Sequence, residues 1–382
     1  MFDSVLISAD NNWFLWSILL GVAAFSLWAE KTKLGAKLSG AMIAIISTFV
    51  LSNLSIIPSS APAYDVVWSY LVPLAIPLLL FKANLRKILK EAGPTLIAFT
   101  MGGIGTVIGT VIAFHLIPLG EEGWQLAGIF CSTYIGGSMN FVAAAEAVQL
   151  RSGDILSAGI AADNLIMTVY FLILFALPSI KFLQKLFPNK HQENAEINDN
   201  EENYFEEEDG GITLANLSMS LFVSTTICAV GYLFADLSGI DGIGILVVTA
   251  LVIIIATSFP KQIGAIEGGD KIGMFFMSIF FAAIGASANI KIVMEYGSIL
   301  FLFAALILLI HLIFLLTAGK LLKLDLAEMV VASNANMGGP TTAAAMAAAR
   351  KWKDLVIPAI LCGTLGYAIA TFIGVGVGFW LK

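Results

Sequence analysis

Asp163, in the stretch Ala158-Gly159-Ile160-Ala161-Ala162-Asp163-Asn164-Leu165-Ile166-Met167, is the carboxylate that the apolar pattern buries deepest. No lysine or arginine lies in the apolar part of any segment to pair with it. A charge at membrane depth marks an ion path, a proton relay or a buried pair. Asp163 with Asn164 therefore reads as a coupling-ion site, against a neutral, hydrogen-bonded structural aspartate. Two glycine-centred polar stretches could complete the chemistry: Thr133-Tyr134-Ile135-Gly136-Gly137-Ser138-Met139-Asn140 and Ser333-Asn334-Ala335-Asn336-Met337-Gly338-Gly339-Pro340-Thr341-Thr342. Each follows an apolar half-helix and precedes an alanine-rich one. Their glycines allow backbone angles that other residues resist, and Pro340 stands where a restarting helix accepts proline. Freed carbonyls could hold a cation, while the restarting helix presents amide hydrogens to an anion. Gly136, Asn140 and Asn336 join Asp163 and Asn164 as cation-coupling candidates. Thr133, Ser138, Asn334, Thr341, Thr342 and Tyr367 are the solute-binding candidates.

The elements that must position these groups are membrane helices. The chain has 382 residues, 58% of them hydrophobic and 12% charged, with a mean hydropathy of +0.90. Soluble domains carry roughly 25% charged residues. Apolar segments fall at about 13–29, 37–57, 64–82, 94–117, 124–148 and 154–180, then 213–237, 241–259, 266–287, 296–322, 326–349 and 354–381. Trp13, Trp16, Trp28, Trp68 and Trp380 lie near segment ends, as an aromatic belt requires. Unwound backbone is tolerated at membrane depth only where protein or a water-filled cavity satisfies it. Paired interruptions in two halves thus point to a transport site.

The halves share further landmarks. Lys82-Ala83-Asn84-Leu85-Arg86 near Gly93 parallels Ser287-Ala288-Asn289-Ile290-Lys291 near Gly297, and Leu126-Ala127 parallels Leu326-Ala327. The organisation predicted is an N-terminal repeat 1–187, an acidic linker 188–212 and a C-terminal repeat 213–382. Inverted repeats require an odd number of crossings between equivalent helices, yet twelve segments put the breaks six apart. Lysines and arginines favour one side in the first half and divide between both sides in the second. The linker holds nine acids against Lys190, so the net charge of −7 belongs to it. It reads as a solvated tether or, alternatively, a docking element. No basic surface remains for nucleic acid.

Enzyme chemistry finds little support, since no GxSxG, HExxH, Walker loop or His/Cys cluster occurs. Cys131, Cys228 and Cys362 each stand alone in apolar stretches as small helix residues. Gly102-Gly103-Ile104-Gly105 reads as helix packing. His115 and His311 read as packing histidines or proton relays. Glu146 reads as an acid at a cavity mouth or an interfacial partner of Arg151, and Thr364 is a lesser candidate beside Tyr367.

Ile135-Gly136-Gly137-Ser138-Met139-Asn140-Phe141-Val142-Ala143, Ala161-Ala162-Asp163-Asn164, Asn336-Met337-Gly338-Gly339-Pro340-Thr341-Thr342-Ala343-Ala344-Ala345 and Gly363-Thr364-Leu365-Gly366-Tyr367 carry a family resemblance. Over nearly the whole chain outside the acidic stretch, it resembles the bacterial and plastid membrane family called domain of unknown function 819 (YjcL-like). That family looks like a distant member of the superfamily of cation/proton antiporters and bile-acid-type sodium symporters. The resemblance implies an all-α, polytopic integral membrane protein of about 11–12 transmembrane helices. It also implies two inverted repeats, a panel and a core, and discontinuous helices crossing at Gly136, Gly137, Gly338, Gly339 and Pro340. Asp163-Asn164 would stand where antiporters carry an Asp-Asp or Asn-Asp pair; here the acid comes first and no second carboxylate follows.

The expected function is secondary transport of a small solute, an anionic one included, coupled to sodium or protons. A sodium/proton antiporter is the runner-up, and a non-transporting receptor or scaffold using the linker is the alternative from another class. No cofactor is expected beyond the coupling ion. The expected setting is the inner (plasma) membrane, with homodimerisation by analogy to two-domain carriers.

Overall fold

The computed structural model describes residues 5–32, 40–191, 213–239, 243–288 and 290–382. The expected linker, 188–212, lies almost wholly outside them, as do Lys33, Lys37 and Asn289. The described residues form helices and no strand: α1 (Asn12–Glu30), α2 (Gly40–Asn53), α3 (Pro62–Leu80), α4 (Leu85–Glu91), α5 (Gly93–Leu116), α6 (Gly123–Gly136), α7 (Met139–Ala147) and α8 (Gly153–Ala176) in the first half. The second half holds α9 (Leu214–Ser238), α10 (Ile243–Ser258), α11 (Gly269–Ala286), α12 (Ile290–Leu322), α13 (Leu326–Ala349) and α14 (Val356–Leu381). The chain is an all-α polytopic membrane protein. Eight of its helices are long and apolar enough to cross a bilayer, and α2 and α10 are shorter apolar helices that run beside them.

The two interrupted segments depart from expectation. Each turns back at its glycines instead of crossing to the far side. The Gln125 side chain, at the start of α6, donates to the carbonyl of Val148, just past the end of α7, at 2.8 Å. A straight run of those residues would span over 30 Å at about 1.5 Å per residue. Phe130 and Phe141 likewise meet edge to face with ring centroids 6.0 Å apart. In α13, Thr342 Oγ1 donates to Asn334 Oδ1 at 2.7 Å and Asn334 Nδ2 reaches Met346 Sδ at 3.4 Å, which folds residues 340–349 back along 326–337.

Two re-entrant hairpins change the count from the expected twelve crossings to ten, five in each half. Five is odd, so the repeats are inverted and the parity conflict disappears. Helix directions agree. Leu79 packs on Gly273 while Trp68 packs on Phe280, so α3 and α11, the equivalent third helices, run antiparallel. The same tracing gathers Lys31, Lys82, Arg86, Lys87, Lys90, Lys181, Lys185, Lys190, Lys261, Lys271, Lys320, Lys323, Arg350, Lys351 and Lys353 at one end of the bundle. The other end keeps Arg151, Lys291 and Lys382. The first hairpin enters from the opposite end and the second from the basic end.

The repeats interleave in two bodies. Helices α1–α3 pack with α9–α11 as a panel, where Ser224 and Cys228 bond the carbonyls of Leu74 and Pro73 at 2.8 and 3.3 Å. Helices α5 and α8 pack with α12, α14 and both hairpins as the core. The glycine stripe of α5 is packing, as expected: Gly105 and Gly109 bring its backbone against His311 and Ile307 of α12. Cys131, Cys228 and Cys362 are buried free thiols.

The second hairpin is pinned where it enters. Asp325 and Glu328 form a capping box on α13, Asp325 Oδ2 accepts from the amide of Lys190 at 2.7 Å, and Leu326 donates to the carbonyl of Pro188 at 3.0 Å. His191 Nε2 lies 3.5 Å from Glu328 Oε1. The Glu328 contact, with Asp325 and Asp354 nearby, raises the imidazole above its ordinary value against the opposing effect of burial. A raised folded-state pKa stabilises below the unfolded value and loses that contribution as pH rises through the folded value. His191→Gln should therefore lower the melting temperature near pH 6, by about 0.5 kcal/mol of stability, and have no effect near pH 9. A difference that persists at pH 9 would show that the charge pair is not its origin.

Candidate functional site

The hairpin tips meet in the middle of the core. Gly137 donates its amide to the carbonyls of Thr133 (2.7 Å) and Asn336 (3.0 Å), and Asn336 Nδ2 donates to the carbonyl of Ile135 at 3.2 Å. Gly137 (φ 82°, ψ 171°) and Gly339 (φ 78°, ψ −164°) turn the two tips with the same backbone conformation. That region is essentially restricted to glycine. Helix α14 backs both tips: Gly366 lies against Gly136, and Gly363 against Gly339 and Pro340, with no room for a Cβ in either place. Thr371 Oγ1 donates to Asn140 Oδ1 at 2.7 Å, and Asn140 Nδ2 donates to the carbonyl of Gly136 at 2.7 Å.

Asp163 lies on α8 beside the tips, 3% exposed. The Tyr134 hydroxyl is its neighbour, yet Asp163 Oδ1 and Tyr134 OH are both buried without a hydrogen-bond partner of good geometry. Asn336 Oδ1 is a third such atom, pressed against Gly102. Buried polar atoms are nearly always paired, and these three exceptions lie together around the tips. Asn164 Nδ2 donates to the carbonyl of Ile160 at 2.8 Å.

Between core and panel lies a cavity of about 270 Å³. Ser138 and Gly338 from the two tips line it, with Asp163 and Asn164 of α8, Met274, Met277, Ser278 and Phe281 of α11, and Glu30 and Gly40 at its rim. That rim belongs to the basic end, so the cavity opens toward that end of the bundle. A separate void of about 20 Å³ touches Asn140, Thr371 and Tyr367.

The sequence-derived candidates thus divide. Ser138, Gly338, Asp163 and Asn164 share the cavity. Gly136, Gly137, Gly339, Pro340, Asn140 and Asn336 build the turns behind it. Thr133 turns its hydroxyl back to the Ile129 carbonyl at 2.9 Å, Asn334 and Thr342 bond each other, and Tyr367 packs on Gly339. Thr341 is exposed and lines neither cavity, and Thr364 bonds the Ile360 carbonyl at 2.7 Å. Glu146 is the interfacial partner of Arg151, at 2.8 Å, at the end of the bundle opposite the cavity rim. His115 is exposed, edge-on to Phe114.

His311 proves to be the hub that the sequence leaves undecided. It is fully buried, with Nδ1 3.0 Å from Thr106 Oγ1 and Nε2 2.9 Å from Ser333 Oγ; Ser333 Oγ is 2.8 Å from Tyr170 OH. Thr106 gives its only proton to the Tyr134 carbonyl at 2.9 Å, so in the neutral ring Nδ1 carries the hydrogen and donates to Thr106. Ser333 then donates to Nε2 and accepts from Tyr170. One directed chain ties α8, α12, the second hairpin, α5 and the first hairpin together. Ser333 stood among the break residues, but Thr106 and Tyr170 carry no local signal in sequence.

Gly339→Ala should cost about 2–3 kcal/mol, combining a forbidden φ with collision against Tyr367, and Gly137→Ala a similar amount. Gly376→Ala, where a Cβ meets nothing within 4 Å, should be neutral or gain up to about 1 kcal/mol. Melting of the three purified variants checks this; equal stability of Gly339→Ala and Gly376→Ala would show that the tip is not held as described.

Two comparisons bear on identity. The profile of the family described as "Protein of unknown function (DUF819)" matches residues 17–382. A relative described as "Uncharacterized membrane protein YjcL", from Bacillus subtilis (strain 168), is 36% identical over 396 aligned residues, covering 99% of this chain and 98% of the relative. With the match running through both hairpins, Asp163 and the cavity wall, the chain belongs to the DUF819 family.

Proposed function

We propose that this protein is a secondary transporter in which a cation bound at Asp163 couples to movement of a small organic solute through the cavity. The carrying observation is the buried carboxyl of Asp163, neighboured by the Tyr134 hydroxyl, beside two hairpin tips that meet at mid-depth, in the wall of a cavity that opens at one end. Intramembrane acids are costly and mark ion or proton paths, and broken helices at the interface of inverted repeats mark transport sites. Sodium or a proton would occupy Asp163, with the Tyr134 hydroxyl and the tip carbonyls as further oxygen donors. The core, tied together by the His311 chain, would move as one piece against the panel. A volume of about 270 Å³ holds far more than a bare ion, whose hydrating waters each fill about 30 Å³, and this favours solute transport over sodium/proton antiport. The protein would act in the cytoplasmic membrane, with the conformation described here open to the cytosol.

Thermal stability of the purified protein in sodium against potassium tests the coupling site. Sodium should raise the melting temperature of the wild type above that in potassium. Asp163→Asn should abolish the sodium-specific gain. An equal sodium gain in wild type and Asp163→Asn would remove Asp163 from the site.

A further inference from the structure

We infer that the solute of this cavity is a small organic cation, an ammonium group on a compact apolar body, whose charged end shares Asp163 with the coupling ion. The inference rests on the transporter reading and names its substrate class. Among the described residues the lining supplies two carboxyl groups, Asp163 inside and Glu30 at the rim, and no lysine, arginine or histidine. Asp163 is 97% buried by its 3% exposure, and its Oδ1 lacks a partner, so an N–H donor would complete its bonding. The Glu30 carboxylate is drawn close over Gly40, where a Cβ would lie 2.7 Å from Oε2. It therefore stands at the entrance that any solute from the basic end must pass.

An anionic solute would meet two acids against the two helix starts at the tips, Ser138-Met139 and Gly339-Pro340. A helix N-terminus offers the equivalent of about half an elementary charge, less than either carboxylate alone. The rest of the wall suits a cation with an apolar body. Met139, Met274 and Met277 are polarisable and adaptable, and Phe141 and Phe281 offer aromatic surface of the kind that attracts alkylammonium groups. Because one carboxyl serves both cations, solute and coupling ion would exclude each other, which makes the transport an exchange.

Three probes of one shape and different charge decide the matter: 2-phenylethylammonium, 2-phenylethanol and phenylacetate, each added at millimolar concentration to the purified full-length protein in potassium buffer while its melting temperature is followed. The ammonium should raise the melting temperature by several degrees, the alcohol little and the acid not at all. Sodium should weaken the ammonium's apparent affinity by competition. Asp163→Asn should remove the ammonium effect. Should that variant not fold, Glu30→Gln, at an exposed position, should fold and still weaken ammonium affinity severalfold. Stabilisation by phenylacetate equal to that by the ammonium, no effect of any probe, or ammonium affinity unchanged in both variants would overturn the inference. Sodium-specific stabilisation without an ammonium effect would overturn the substrate class alone, whereas loss of both would remove the coupling site as well.

Discussion

A polypeptide that stops at mid-membrane and turns back must satisfy its own backbone there, because hydrocarbon supplies no hydrogen bonds. The rest of this structure follows from that requirement. The tips are tied to each other: the Gly137 amide is shared between Thr133 of its own hairpin and the Asn336 carbonyl, and the Ile135 carbonyl takes the Asn336 side chain. Each hairpin therefore serves as the polar partner of the other. Close approach needs glycine, and the glycines occur in both tips and in α14 where it crosses behind them. Three of the four buried oxygen atoms without a partner among the described residues, on Asp163, Tyr134 and Asn336, lie around this same meeting point.

The inverted arrangement gives the meeting point its mechanical meaning. One hairpin enters from each end of the bundle, so tip-to-tip contact places both turns at mid-depth, beside Asp163 and the cavity wall. The His311 chain then connects Tyr170, Ser333 and Thr106 across the core without crossing into the panel. The cavity lies along the boundary between this braced body and the panel.

Much of this was legible from residues. Composition established the membrane class, the glycine pairs marked the interruptions, and Asp163 stood out by its lack of a basic partner. The hairpins were not legible, because an apolar stretch of about 25 residues has the same hydropathy whether it crosses or returns. The difference lies in tertiary contacts such as Gln125 to Val148. One signal was present in the parity conflict: inverted repeats and breaks six segments apart cannot both hold unless the broken segments fail to cross. The division of second-half charges between both sides arose largely from the same miscount, since the tracing with hairpins moves Arg350, Lys351 and Lys353 to the end that holds Lys261, Lys271, Lys320 and Lys323. The roles of Thr106 and Tyr170 were illegible for another reason: each looks like an ordinary polar residue on its own helix, and only packing brings them to His311. Thr341 shows the converse, a residue within a conspicuous motif that faces away from the cavity.

The re-entrant hairpins are the central claim, and cysteine accessibility in intact cells tests them most directly. In a background where Cys131, Cys228 and Cys362 are replaced by alanine, single cysteines at Glu121 and Gln149 would flank the first hairpin, and at Lys323 and Lys351 the second. A membrane-impermeant thiol reagent should label both flanks of the first hairpin from outside, and neither flank of the second until the cells are opened. Labelling of Glu121→Cys and Gln149→Cys from opposite sides would make the segment a true crossing and contradict the account.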